Sequence, residues 1–170
     1  DVDQVFKAGG IERREDGPVN AGLGVAVAEG AMEKGRVGLA QRIDHKKVIE
    51  PLRNRENSLP WIHANTQIPK VIGLARIYEL MGTPKDRVAA EFFWDTVINE
   101  YSYVIGGNAD REYFPAPRTG SKHITEQTCE HCNSYNMLKL TRQLYSWRPA
   151  AGLFDYYERT HLDHILSQQH

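Results

Sequence analysis

The chain has 170 residues, of which 41% are hydrophobic and 25% are charged, so it is long enough for one hydrophobic core of useful size. Its 21 basic and 22 acidic residues are mixed along the sequence and give a formal net charge of −1, which excludes electrostatic capture of nucleic acid or of an anionic membrane. No run of about 18 apolar residues occurs, which excludes a membrane-spanning helix within this sequence.

The spacing of apolar residues predicts helices along most of the chain and almost no strands. The first helices are predicted over 22–35, where two internal glycines weaken the pattern, and over 37–52. A polar turn separates them from the clearest helix, 63–81, after which Gly82 is a natural terminator. Pro69 lies inside this helix, so we expect the helix either to begin near that point or to bend there.

Thr83 and Pro84 read as the N-cap and first residue of the next helix, which the apolar pattern carries as far as Gly106–Gly107. A long segment without periodicity follows, and such loops inside compact domains are usually functional. Further helices are predicted over 130–147 and 152–168. The repeated scheme of helix, turn and helix predicts a single all-α domain over 1–170, built as an array of helix pairs or as an α/α toroid.

Both cysteines of the chain lie together, just before the apolar pattern of the 130–147 helix. Cys129 and Cys132 enclose Glu130 and His131, which concentrates metal-binding side chains in four residues. A helix N-terminus lowers a thiol pKa and so favours the thiolate that binds zinc. Such a close pair indicates a metal or redox site more readily than a disulfide framework. Two sulfurs do not complete a tetrahedral site, so the segment predicts only part of one.

Three strings of the sequence together resemble the β-L-arabinofuranosidase family, glycoside hydrolase family 127 and its relatives. They occur in the order found in that family, and the resemblance runs from about Gly38 to Gln168, whereas 1–35 shows little of it. The strings are His63–Gly73, Gly106–Asn108 with Arg111–Phe114, and Thr128–Arg142.

The resemblance implies an (α/α)₆ catalytic barrel, of which this chain would be an incomplete part, and a retaining glycosidase that acts on glycans containing β-linked L-arabinofuranose. It implies Zn²⁺ held by one glutamate and three cysteines, one of which is the nucleophile. By motif, Glu130 and Cys132 match zinc ligands, Glu112 matches the general acid/base, and His63 matches a residue that hydrogen-bonds the sugar ring. The other two cysteines belong to a later motif beyond the end of this chain, so we expect the chain alone to be inactive.

The chemistry of this set is coherent, because a retaining glycosidase needs an acid on one side of the glycosidic bond and a nucleophile on the other. A zinc-bound thiolate can replace the usual second carboxylate, since the metal keeps the sulfur deprotonated. Glu112 precedes Tyr113 and Phe114, and apolar neighbours that desolvate a carboxyl group raise its pKa. We therefore expect Glu112 to be a desolvated acid.

Each of these residues also has a structural interpretation. Glu130 would then cap the helix that follows it, and Cys129 would pack beside the metal site rather than bind the ion. The side chain of His63 would bond to backbone at a helix start. His161 and His164, three apart on one helical face, are more often surface or hydrogen-bonded histidines than ligands.

These interpretations leave two classes of function. One is the zinc-dependent glycosidase, and the other is a non-catalytic helical fragment or structural zinc module. In the second case, exposed faces of an incomplete toroid would favour association of copies of the chain.

Overall fold

The computed structural model describes Gly35 and residues 45–168, which apart from Gly35 belong to one compact unit, Ala40–His170. These residues form helices and loops without a strand, and the all-α class is confirmed. The predicted helix at 22–35, the first part of the 37–52 helix and the segment 1–35 lie outside the described residues. The α-helices are α1 Lys46–Arg53, α2 Ala64–Met81, α3 Pro84–Thr96, α4 His131–Trp147 and α5 Ala151–Thr160.

The predicted 63–81 helix is confirmed as α2, with His63 at its N-cap and Gly82 in the left-handed conformation at its end. Pro69 does not delay its start. Proline removes one intrahelical bond, to the carbonyl of Asn65, while the surrounding turns bury apolar side chains that hold the helix together. The buried apolar residues of α2 are Ala64, Ile68, Val71, Leu74 and Ala75.

Helix α3 begins as predicted, with Thr83 at the N-cap and Pro84 at the first position. It does not continue to Gly106, because α-helical bonding stops at Thr96 and a π-helical turn, Val97–Tyr101, follows. Helix α5 is also shorter than the predicted 152–168 helix. It passes into a π-helical turn, His161–Ile165, and a 3₁₀ turn, Leu166–Gln168. Apolar periodicity cannot distinguish these wider and tighter turns from an α-helix.

Helix α2 packs between α3 and α4, α4 packs on α5, and α1 packs on α3. Their facing sides form one core, in which the largest buried side chains include Phe93, Phe114, Met137 and Tyr156. Successive helices in contact are the expected arrangement of a partial α/α barrel. None of the helices within 45–168 is both long and apolar enough to cross a membrane.

Candidate functional site

The long segment between α3 and α4 is held against the start of α2 by backbone hydrogen bonds. The N–H of Ala64 donates to the carbonyl of Glu112 at 2.8 Å, and the N–H of Phe114 donates to the carbonyl of Ile62 at 3.1 Å. The N–H of Trp61 donates to the carbonyl of Phe114 at 2.7 Å. This short antiparallel pairing fixes the loop residue Glu112 beside the helix start.

His63 and Glu112 therefore lie side by side. The Nε2 atom of His63 is 3.6 Å from Oε2 of Glu112, and its ring contacts that of Tyr113 with 5.5 Å between centroids. The Nδ1 atom of His63 is buried without a hydrogen bond, so its side chain does not bond to backbone as in the structural interpretation. Instead, its carbonyl accepts bonds from the side chains of Thr66 and Gln67.

The surroundings of Glu112 differ from those expected from the sequence. Its side chain is 58% exposed, and of its two aromatic neighbours only Phe114 is buried, in the core. Tyr113 is 47% exposed and turns toward His63. The expectation of a desolvated acid is therefore wrong for the residues that the structure describes, because burial, not sequence proximity, removes water from a carboxyl group.

Glu130 and Cys132 meet at the start of α4. Glu130 is the N-cap residue with an extended backbone, and its carboxylate makes no capping bond, which rules out the helix-capping interpretation. Burial, together with a hydrogen bond to the Glu130 carboxylate, raises the pKa of Cys132 to about 11. The Oε2 atom of Glu130 is buried without a hydrogen bond. A carboxylate oxygen and a thiol thus converge where neither has a full set of partners.

Glu112 and Glu130 line the same open cavity of about 640 Å³. Cys129 also lines it, while His63 and Cys132 adjoin it through their contacts with the two glutamates. The remaining lining residues are Arg111, Glu126, Gln127, Thr128 and Gln168. The structure therefore brings together the three segments that carry the sequence-predicted site residues.

A side-chain hydrogen bond joins α2 and α4, the two helices that border this site. The side-chain amide of Asn136 donates to the side-chain oxygen of Asn65 at 2.9 Å. Asn136 lies one turn after Cys132 on the same face of α4, and Asn65 lies two residues after His63. This bond ties the first turn of α2, which follows His63, to the face of α4 that carries Cys132.

The side chain of Cys129 is buried against neighbouring residues. Its N–H donates to the carbonyl of Ala109 at 3.1 Å, and burial raises the pKa of its thiol to about 11. A Cβ on Gly107 would lie 2.7 Å from the sulfur of Cys129, so only glycine allows this close approach. These contacts agree with the predicted packing role of Cys129 beside the site.

Strained backbone is concentrated around the cavity. Ala109, Arg111, Glu112 and Cys129 all have positive φ values between 49° and 71°. Non-glycine residues in this region cost on the order of 1 kcal/mol each or more, and they cluster at functional sites. The residues with strained backbone therefore lie in the same segments that line the cavity.

Comparison with known protein families decides the relationship. The family described as beta-L-arabinofuranosidase, GH127 catalytic domain, matches residues 23–170. The chain belongs to this family. It is thus related to glycoside hydrolases, whose substrates are carbohydrates, and the match begins upstream of the resemblance visible from Gly38. No curated protein matches the chain.

The Zn²⁺ that the sequence resemblance implies can be tested against the residues present. Glu130 and Cys132 supply an oxygen and a sulfur that suit Zn²⁺, and the unsatisfied Oε2 of Glu130 is free to bind it. Across residues 45–168, no group of three or more histidine, cysteine, aspartate or glutamate side chains is close enough to hold a metal. The donors fit half of a tetrahedral site.

Some residues at or near the candidate site were not singled out from the sequence as part of it. Trp61 is 65% exposed beside His63, and no periodicity marks it. The Asn65–Asn136 contact joins residues that are far apart in the chain, although both lie in strings that carry the family resemblance. His164 was interpreted as a surface or hydrogen-bonded histidine, and it is buried with its Nδ1 atom 2.7 Å from Ser134 Oγ.

Proposed function

We propose that the chain forms part of the catalytic barrel of a zinc-dependent, retaining glycoside hydrolase that acts on β-linked L-arabinofuranosides. The observation that carries this proposal is the cavity that Glu112 and Glu130 both line. His63 lies next to Glu112, and Cys132 interacts with Glu130. A glycosidase of this family needs a general acid and metal ligands that face the same cavity, and these residues supply both.

Glu112 is the general acid/base in this proposal. Its carboxyl group reaches the cavity, and His63, 3.6 Å away, can orient it or hydrogen-bond a hydroxyl group of the sugar. The exposed side chain leaves room for a substrate, which would displace water from the carboxyl group on binding.

Glu130 and Cys132 hold the zinc in this proposal. A bound Zn²⁺ would keep cysteine ligands deprotonated at neutral pH, whereas burial and Glu130 alone raise the pKa of Cys132 to about 11. The family resemblance assigns the nucleophile to a cysteine of a later motif, so the residues described contribute the acid and part of the metal site.

Two exposed aromatic side chains support a carbohydrate ligand. Trp61 and Tyr113 lie on the two paired segments that carry His63 and Glu112. Aromatic rings with one exposed face pack well against the C–H groups of sugars, while neighbouring polar groups bond the hydroxyls. This surface is therefore suited to a sugar ring next to the acid.

Zinc binding provides the experiment for the proposal. Replacing Cys132 with serine or Glu130 with glutamine should weaken zinc binding by at least about 10-fold, because each change removes a ligand. His131→Ala is the matched control, since His131 lies between the two ligands and its Nδ1 atom contacts Gln168 at 2.5 Å instead. Zinc affinity is measured by competition with a chromogenic chelator. Unchanged affinity in Cys132→Ser, or loss in His131→Ala alone, contradicts the assignment.

The second candidate is a structural zinc module without catalysis. The exposure of Glu112 favours it, because this carboxyl group lies largely in solvent rather than in a closed active-site pocket. Both candidates predict zinc binding through Cys132, and only the glycosidase predicts that Glu112 is needed for turnover. Association of copies of the chain stays a prediction of the second candidate.

A further inference from the structure

His164 lies in the π-helical turn that follows α5 and is 2% exposed. A π-helical turn inserts a residue into the α-helical pattern and is frequent at functional sites. A neutral imidazole has one donor and one acceptor nitrogen, so a buried histidine needs partners on both sides. The partners of His164 show which parts of the molecule it connects.

One partner is in α4. The Nδ1 atom of His164 lies 2.7 Å from Oγ of Ser134, and this bond is buried. The N–H of Ser134 lies 3.4 Å from the carbonyl of Glu130, which places Ser134 one turn after the candidate ligand. The bond from His164 therefore acts on the first turn of α4, where Glu130 and Cys132 converge.

The other side of the imidazole faces the segment that leads into α4. Burial lowers the pKa of His164, an interaction with the Cys129 backbone partly opposes this, and nearby His131 adds to the lowering. The Cε1 atom of His164 would lie 3.1 Å from a Cβ on Gly107, the residue that also contacts Cys129. The imidazole thus packs against Gly107, and its Nε2 atom makes no hydrogen bond.

Buried polar atoms without partners accompany this arrangement. They include Oε2 of Glu130, both side-chain amide atoms of Asn133 and Nε2 of His164. Each such atom destabilises the fold, because it loses its hydrogen bonds to water without gaining others. A region that only packs the core would not retain so many unpaired polar atoms, whereas a region that binds a ligand would.

We propose that His164 is a positioning residue, which holds Ser134 through its Nδ1 atom and so fixes the first turn of α4, where Glu130 and Cys132 face the cavity. This inference rests on the proposed zinc site, since it assigns to His164 the orientation of the two ligands. Residues that orient metal ligands typically change metal affinity by about 10–100-fold when replaced.

The experiment compares three variants of His164 in the full chain. His164→Asn keeps a polar atom near the position of Nδ1, His164→Gln moves it to the position of Nε2, and His164→Leu removes it. We expect His164→Leu and His164→Gln to weaken zinc binding by about 10-fold or more and His164→Asn to stay within about 3-fold of the parent. Ser134→Ala removes the same bond from α4 and should match His164→Leu.

Leu144→Ala is the control for stability alone. Leu144 is buried in the core on α4, about three turns from Cys132, and a leucine-to-alanine change there destabilises the fold by leaving a cavity. It should leave zinc affinity unchanged at a comparable loss of unfolding free energy. Equal zinc affinities in His164→Leu, Ser134→Ala and Leu144→Ala would overturn the inference, and so would failure of His164→Asn to restore binding.

A second readout separates this inference from the zinc proposal. The rate at which iodoacetamide alkylates Cys132, resolved from Cys129 by mass spectrometry, reports the orientation of the thiol without metal. We expect Ser134→Ala and His164→Leu to change this rate by about 3-fold or more, and Leu144→Ala to leave it unchanged. If the parent chain binds no zinc, the proposed function fails, and unchanged alkylation rates would then also reject the role of His164.

Discussion

Replacing Gly106 with alanine is expected to destabilise the fold by at least about 3 kcal/mol, a large part of the stability of a typical domain. An added Cβ would lie 1.9 Å from Oγ1, 2.7 Å from Cβ and 3.0 Å from Cα of Thr160. The last of these is backbone in α5, which cannot turn away. The φ of Gly106 is +89°, so alanine would also be strained. Urea denaturation measures the change.

Substitutions at two other glycines separate the effect of the steric clash from the effect of backbone strain. Gly73 lies in α2 with no atom within 4 Å of an added Cβ, so Gly73→Ala should stabilise by about 0.5–1 kcal/mol. Gly82 has the same open space but φ +69°, so Gly82→Ala should destabilise by about 1 kcal/mol from strain alone. If Gly106→Ala behaved like Gly82→Ala, the close packing of Gly106 against Thr160 of α5 would be wrong.

Replacing Glu112 with glutamine should lower turnover of β-L-arabinofuranosides with weakly acidic leaving groups by about 100-fold or more, because general acid catalysis contributes about 10²–10⁴-fold. Substrate binding should change little, since glutamine keeps the size and hydrogen-bonding capacity of the side chain. The comparison is made in a relative that carries the cysteines that the family resemblance implies. Steady-state kinetics with one alkyl and one activated aryl arabinofuranoside measures both effects, and the aryl substrate should be less affected.

Glu126→Gln is the matched control for this change. Glu126 lines the same cavity and lies in the same loop, and it has no proposed part in the chemistry. Its replacement should leave turnover within about 3-fold of the parent, because only the local charge changes. Equal loss of turnover in both variants would mean that the charge of the cavity, not an acid at Glu112, supports the reaction.

The helical scaffold was predictable because its signals are local. The apolar face of α2, Gly82 at its end, and Thr83 followed by Pro84 each act within a few residues, and each prediction is confirmed. The π-helical turns after α3 and α5 were not predictable, since apolar periodicity continues through them. Tertiary packing decides where such a helix widens.

For the candidate site, the sequence indicates residues whose roles stay predictions, but it does not indicate their arrangement. The motifs identified His63, Glu112, Glu130 and Cys132, and the lack of periodicity before α4 indicated a functional loop. The pairing of that loop with the start of α2 depends on backbone bonds between residues far apart in the chain. The exposure of Glu112 and the burial of His164 depend on the same long-range packing, which no local pattern encodes.

X-ray diffraction from zinc-loaded crystals, recorded at the zinc absorption edge, tests the central claim most directly. The account predicts an anomalous peak at the start of α4, about 2.3 Å from the sulfur of Cys132 and about 2.0–2.2 Å from a carboxylate oxygen of Glu130. This peak should border the cavity that Glu112 lines. A peak at His131 or at a surface remote from that cavity, or no peak at the start of α4, would contradict the account.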